Sequence, residues 1–165
     1  MYETGARLLL RIRGAGAQLI INDHADIAAA VDADGVHLGQ DDLPLENARS
    51  LLGPERIIGI STHSLQQALA AQVEGADYVG FGPVFPTSTK DAGPALGADA
   101  LRTVCSKVTV PVLAIGGITR STAGEAVLAG AAGVAVISGI LAAKDRQAAS
   151  RDLLSALEQS EKQSH

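Results

Sequence analysis

Ala33-Asp34-Gly35-Val36-His37-Leu38-Gly39-Gln40-Asp41-Asp42 decides the fold: a small residue and an aspartate, a short apolar run, then glycine and polar residues. The layout returns in Gly75-Ala76-Asp77-Tyr78-Val79-Gly80-Phe81-Gly82-Pro83. It returns again, without the aspartate, in Gly130-Ala131-Ala132-Gly133-Val134-Ala135-Val136-Ile137-Ser138. Glycine ends a helix because it enters the left-handed conformation without a Cβ clash, and a β-branched run just behind it reads as a buried parallel strand. The chain is therefore a series of βα units, in which chemistry gathers where strands end and helices begin.

On the N-terminal side of the quoted stretch, Leu8, Leu9, Leu10 and Ile12 among arginines predict a helix over Gly5 to Arg13, closed by Gly14-Ala15-Gly16. A strand from Gln18 to Ile21 ends at Asn22-Asp23, and a helix from Ala25 to Val31 leads into strand Val36 to Leu38. Beyond it come a helix over Pro44 to Leu52, strand Ile57 to Ile60, and a helix capped by Ser64 that runs to Glu74. Strand Tyr78 to Gly82 opens a long loop, Pro83 to Gly97, followed by a helix to Lys107 and strand Val112 to Ile115. A helix from Thr122 to Leu128, strand Val134 to Ile137, an amphipathic helix from Arg146 to Leu157 and a polar tail complete the chain. The expected fold class is α/β, a partial (βα)8 TIM barrel with six of the usual eight parallel strands, in one domain over 1–165.

Composition narrows the function. The chain has 165 residues, 47% of them apolar, enough for one soluble domain. A net charge of -5 and only two Phe and two Tyr leave neither a basic face nor stacking platforms, so nucleic acid is excluded as a partner. The uncharged run Ala126 to Ala143 is divided by Gly130 and Gly133 and is rich in Gly and Ala, so it reads as soluble rather than as a membrane span. The single Cys105 sits at an apolar helix position, which suits a structural thiol in a reducing cytoplasm.

Residues at the strand ends form one expected rim: Asn22, Asp23, Gln40, Asp41, Asp42, Ser61, His63, Thr87, Ser88, Thr89, Lys90, Gly116, Gly117 and Ser138. Either aspartate alone reads as a helix cap. The pair Asp23 and Asp42, from neighbouring strand ends, suits magnesium, which takes one or two carboxylates with phosphate oxygens and waters. Thr87-Ser88-Thr89-Lys90 sets three hydroxyls beside an ammonium in a loop too long for a plain connector, an anion clamp. Gly116-Gly117 and Ser138-Gly139 read either as tight turns or as bare main chain for a phosphate. With the clamp beside them they point to a phosphorylated ligand. His37, among apolar neighbours, reads as a hydrogen-bonded core histidine, whereas His63 at a helix start faces pocket or solvent.

In this order the motifs resemble the thiamine phosphate synthase family. The match lies in Leu19-Ile20-Ile21-Asn22-Asp23, Gly35 to Pro44, Gly59-Ile60-Ser61-Thr62-His63, Gly80 to Lys90, Ala114-Ile115-Gly116-Gly117-Ile118 and Val136-Ile137-Ser138. The resemblance implies a transferase that joins hydroxymethylpyrimidine diphosphate to a thiazole phosphate, making thiamine phosphate and pyrophosphate. It implies that Asp23 and Asp42 ligate magnesium, that Asn22, Ser61 and Lys90 hold the pyrimidine diphosphate, and that Lys90 and Ser61 serve catalysis. Thr87, Ser88 and Thr89, with main chain at Gly117, Ile137 and Ser138, would hold the thiazole phosphate.

Members of that family begin with two further strands, the second carrying a Gln-x-Arg-x-Lys motif that this sequence does not supply, so the resemblance implies impaired activity. A start site placed too late is the favoured reading, ahead of a fragment completed by another chain or a degenerate remnant. The expected partners are the two small phosphorylated substrates, with a homo-oligomer or a complementing N-terminal segment to cover the open sheet edges. A thiazole tautomerase-like isomerase and a noncatalytic phosphate-binding fragment are the rival functions. The carboxylate pair and Lys90 argue against the isomerase, which has no diphosphate to release.

Overall fold

The computed structural model describes residues 1–87 and 93–162. Among them, helices and strands alternate as α1 (Tyr2–Ile12), β1 (Ile20–Asn22), α2 (Ala25–Val31), β2 (Gly35–Leu38), α3 (Leu45–Leu52), β3 (Ile57–Thr62) and α4 (Leu65–Glu74), continuing with β4 (Tyr78–Phe81), α5 (Ala98–Cys105), β5 (Val112–Ile115), α6 (Arg120–Leu128), β6 (Gly133–Ala135), α7 (Ser138–Leu141) and α8 (Arg146–Glu161). The sheet order is β1-β2-β3-β4-β5-β6. Pairing is parallel for β1–β2, β2–β3 and β5–β6, with Ile21 beside Val36, Val36 beside Ile58 and Ala114 beside Val134. Consecutive strands joined through helices are the α/β arrangement that the repeated unit predicts.

Two compact units make up the chain: Met1–Ser61 with Ala70–Val79, and Thr62–Leu69 with Gly80–His165. In the first, Val36, Leu38 and Ile58 are fully buried, and Ala28, Ala48 and Ala71 keep the helices close to the strands. The aspartates of the repeated unit have a structural task here. Asp34 Oδ2 accepts the Leu19 N–H at 2.7 Å, and Asp77 Oδ2 accepts the Ile58 N–H at 2.7 Å, so each ties its own strand's entry to the preceding strand. Asp77 also takes Arg49 Nη2 at 2.7 Å. In the second unit Phe81, Val84, Leu101 and Val104 are buried, and α8 packs on α6, where a Cβ added at Gly124 would lie 2.4 Å from Ser160 Oγ. Asp145 caps α8 through the Ala148 N–H at 2.8 Å.

The buried-strand expectation fails at β6. Gly133 and Val134 are half-buried, Ala135 is exposed, and Ile137, expected within the strand, lies beyond it and is 72% exposed. The reason is position: β6 ends the sheet order and has a strand neighbour on one side only. Ser138 then opens the short α7. Helix α6 begins at Arg120, two residues earlier than expected, because Thr119 and Thr122 form a reciprocal capping box. Helix α8 runs four residues past Leu157, since its last turn carries Ser160 against Gly124 of α6. No helix among the described residues is long and apolar enough to cross a membrane.

Asp32, the left-handed C-cap of α2, bonds Arg13 Nη2 at 2.7 Å and pairs with Arg56. These guanidinium groups, Arg13 first, hold its carboxyl below the usual range. A carboxyl lowered by folding contributes stability above the unfolded value of about 3.9 and loses it as pH falls through the folded value. Asp32→Asn is therefore expected to flatten the acid side of the stability curve slightly at low salt and to change nothing at high salt, where exposed pairs are screened. Urea midpoints across the acid range at both salt levels check this.

Candidate functional site

In the first unit the ends of β1, β2 and β3 gather Asn22, Asp23, Gln40, Asp42 and Ser61 around His37. The register places Asn22 beside His37 and His37 beside Gly59. Asp23 takes the left-handed conformation, at φ 67, one that aspartate tolerates better than most side chains. Three contacts hold that turn: Asp23 N–H to the His37 carbonyl at 2.8 Å, His24 N–H to the Asn22 carbonyl at 2.9 Å, and Asn22 Nδ2 to Asp23 Oδ1 at 2.6 Å. Asp42 is anchored by the Gly39 N–H, 2.6 Å from its Oδ2. The Asp23 and Asp42 carboxyls lie within hydrogen-bond reach of each other. The Asp23 carboxyl is raised above its usual range by lost hydration first, then by the charge and hydrogen bond of Asp42, with Asn22 opposing.

Two carboxyls brought this close, with the charge of His24 opposing their mutual repulsion, are a donor set that a hard divalent cation relieves. Among the described residues no group of three or more His, Cys, Asp or Glu forms a fuller metal cage. A pair of this kind matches a cation whose remaining positions go to waters and phosphate oxygens.

Behind the carboxylates lies a chain of side chains. Ser61 Oγ is 2.9 Å from His37 Nε2, and His37 Nδ1 is 3.0 Å from the Tyr78 hydroxyl. The His37 and Tyr78 rings stack with centroids 5.5 Å apart. Burial pushes the His37 imidazole down, against Asp23 and Asp42 pulling it up, and burial raises the Tyr78 phenol. Tyr78 reaches across β3 because Gly59 has no side chain: a Cβ there would stand 2.0 Å from Tyr78 Cζ. Gln40 Nε2 donates to the Ser61 carbonyl at 2.6 Å. Tyr78 escaped sequence reasoning, since its partner lies 41 positions away. The available signal was one of only two tyrosines in the chain and a glycine inside an apolar strand.

In the second unit the loop after β4 runs along the end of β5. Val84 N–H donates to the Ile115 carbonyl at 2.9 Å and Phe85 N–H to the Gly116 carbonyl at 3.1 Å. The returning arm bonds back, Leu96 N–H to the Pro83 carbonyl at 2.8 Å and Gly97 N–H to the Val84 carbonyl at 3.0 Å. A Cβ added at Gly117 would stand 2.5 Å from the Phe85 carbonyl oxygen and 2.6 Å from that of Pro86. Glycine at 117 is thus required by the loop's own main chain, whatever ligand binds. Thr122 Oγ1 donates to the Gly117 carbonyl at 3.1 Å.

The start of α7 meets the same place, for a Cβ at Gly139 would lie 3.2 Å from the Ile118 carbonyl oxygen. The unit thus brings together Pro86, which precedes the half-buried Thr87, with Gly117 and the Ile137-Ser138-Gly139 turn. Ser88, Thr89 and Lys90 lie outside the described residues. His63 is exposed, donates from Nδ1 to the Gly82 carbonyl at 2.6 Å, and donates its main-chain N–H to Gln67 Oε1 at 2.7 Å.

A family model described as thiamine monophosphate synthase matches residues 1–140. The chain is similar to the thiamine-phosphate synthase of Shouchella clausii, 49% identical over 160 residues that span 96% of this chain and 77% of that protein. It is similar to the one of Chlorobium luteolum, 54% identical over 143 residues, 86% of this chain and 68% of that protein. Among solved structures it is similar to a thiamine phosphate pyrophosphorylase from Pyrococcus furiosus, with a TM-score of 0.90 and 43% identity, covering 96% of this chain and 76% of that one.

Proposed function

Because the chain belongs to the thiamine monophosphate synthase family, we propose that it joins hydroxymethylpyrimidine diphosphate to a thiazole phosphate, forming thiamine phosphate and pyrophosphate. The observation that carries this reading is the facing pair Asp23 and Asp42, two carboxyls held in hydrogen-bond contact at neighbouring strand ends. Asp23 and Asp42 would hold magnesium, which when bound would supply positive charge to the departing pyrophosphate.

The chain's own residues do the rest. The bond between the pyrimidine methylene carbon and the diphosphate oxygen breaks with its electron pair leaving on oxygen, and the thiazole nitrogen then supplies a pair to that carbon. Asn22 and Ser61 hydrogen-bond the pyrimidine diphosphate, and the Lys90 ammonium favours the leaving anion. Thr87, Ser88 and Thr89, with main chain at Gly117, Ile137 and Ser138, hold the thiazole phosphate and so aim its nitrogen. No protein nucleophile takes part, and the half-buried Cys105, its thiol pushed up by burial, is poorly suited to be one. A single cysteine suits a reducing cytoplasm.

The test mixes the purified chain with both substrates and magnesium. Thiamine phosphate and pyrophosphate are expected slowly, as the missing Gln-x-Arg-x-Lys strand implies, but in equal amounts, and neither when one substrate is omitted or magnesium is chelated. Absence of product, together with absence of magnesium-dependent binding of the pyrimidine diphosphate by calorimetry, overturns the reading.

A further inference from the structure

We propose that Tyr78 and His37 are positioning residues that keep the Ser61 hydroxyl as a hydrogen-bond donor, aimed at an oxygen of the diphosphate-bearing ligand. This rests on the reading above that Ser61 touches the pyrimidine diphosphate.

The two contacts of His37, 2.9 Å from Nε2 to Ser61 Oγ and 3.0 Å from Nδ1 to the Tyr78 hydroxyl, admit two hydrogen arrangements for a neutral ring. In one, Nε2–H donates to Ser61 and the phenol donates to Nδ1, which leaves the serine proton for a ligand. In the other, Nδ1–H donates to the phenol oxygen and Ser61 spends its proton on Nε2. A phenol is a stronger donor and a weaker acceptor than an alcohol, so the first arrangement matches each group to its better role. It also satisfies the half-buried phenol proton, which His37 Nδ1 faces at 3.0 Å. Diphosphate oxygens only accept, so an anionic ligand selects the same arrangement. A cationic ring carries hydrogen on Nε2 as well, and the assignment therefore does not depend on the ring's charge.

The relay is held rigid from both sides. The Tyr78 ring occupies the space that a side chain at Gly59 would fill, and it stacks on the His37 ring at 24° between planes. Rigid support of this kind is what a donor needs in order to be ready before the ligand arrives.

The test starts with the unmutated full chain labelled with ¹⁵N-histidine, with magnesium and inorganic pyrophosphate as the probe. The His37 signals, identified by their loss in His37→Gln, are expected to show hydrogen on Nε2 and a bare Nδ1. Tyr78→Phe, which keeps the ring and removes the donor, is expected to move hydrogen toward Nδ1. It should also lower kcat/KM for the pyrimidine diphosphate about tenfold, as Ser61→Ala should, with KM for the thiazole phosphate unchanged. The double variant should be no worse than Ser61→Ala alone, because both changes act through one hydroxyl. Hydrogen on Nδ1 with a bare Nε2 in the unmutated chain, or losses that multiply in the double variant, overturns the relay while leaving Ser61 as a ligand contact. Hydrogen on Nε2 with an undiminished Ser61→Ala overturns the diphosphate role of Ser61, and with it the proposed target of the donor.

Discussion

Asp42→Asn is expected to remove magnesium-stimulated turnover while leaving the fold intact. The asparagine oxygen still accepts the Gly39 N–H that now bonds Asp42 Oδ2 at 2.6 Å, so the turn after β2 keeps its anchor. What disappears is one of the two charges facing each other across the Asp23–Asp42 contact. Loss of a directly ligating carboxylate exceeds the 10–100-fold typical of its supporting hydrogen bonds, so kcat/KM should fall by more than about 100-fold. A second readout needs no substrate. Magnesium stabilises a folded site that binds it by an amount that grows with concentration, so the melting temperature of the unmutated chain should climb with added magnesium and that of Asp42→Asn should not. Without magnesium the order reverses: removing one member of a like-charged pair makes Asp42→Asn the more stable of the two. Magnesium-stimulated turnover retained in Asp42→Asn takes Asp42 out of the metal site. Asp42→Ala alone is less informative, because it loses the Gly39 anchor together with the charge.

The βα alternation was legible in the sequence because it rests on local rules. Gly75 stops α4, and Val79 and Phe81 are buried in β4, a pattern set by residues close together in the chain. The carboxylate pair was legible for the same reason, since a parallel sheet of consecutive strands puts the ends of β1 and β2 side by side. What stayed hidden depends on residues far apart along the chain. His37 reads as a satisfied histidine, and so it is, but its partners Ser61 and Tyr78 come from β3 and β4 and join it only because Gly59 leaves room. Asp34 and Asp77 read as part of a repeated signature without a task, and the task appears once each is seen to hold an N–H of the neighbouring strand segment. The capping box of α6 uses Thr122 where a glutamate or glutamine is the usual sequence signal, so the helix starts two residues before the sequence pattern marks it. The exposure of β6 follows from its place at the end of the sheet order, which no local pattern encodes.

Gly116 and Gly117 show how one local pattern admits two physical causes, and Gly117→Ala separates them. If glycine served only to let a phosphate approach, alanine would cost ligand affinity and little stability. The main chain of Phe85 and Pro86 already occupies the space, however, with carbonyl oxygens 2.5 and 2.6 Å from the added carbon, and the residue sits at φ 67. Left-handed backbone without glycine and overpacking against main chain each cost on the order of 1–3 kcal/mol, so a loss of about 3 kcal/mol or more is expected. It should appear as a lower urea midpoint with an unchanged slope. Gly14→Ala is the matched control: nothing lies within 4 Å of its added carbon, and it should shift the midpoint little or slightly upward. The clash also sets how activity fails. Moving the Phe85-Pro86 main chain displaces the arm that leads to Thr87, so KM for the thiazole phosphate should rise severalfold at temperatures where the variant is still folded, with KM for the pyrimidine diphosphate nearly unchanged. Unaltered stability with weakened thiazole phosphate binding would assign the glycine to the ligand alone, and lost stability with unaltered KM values would assign it to the loop alone.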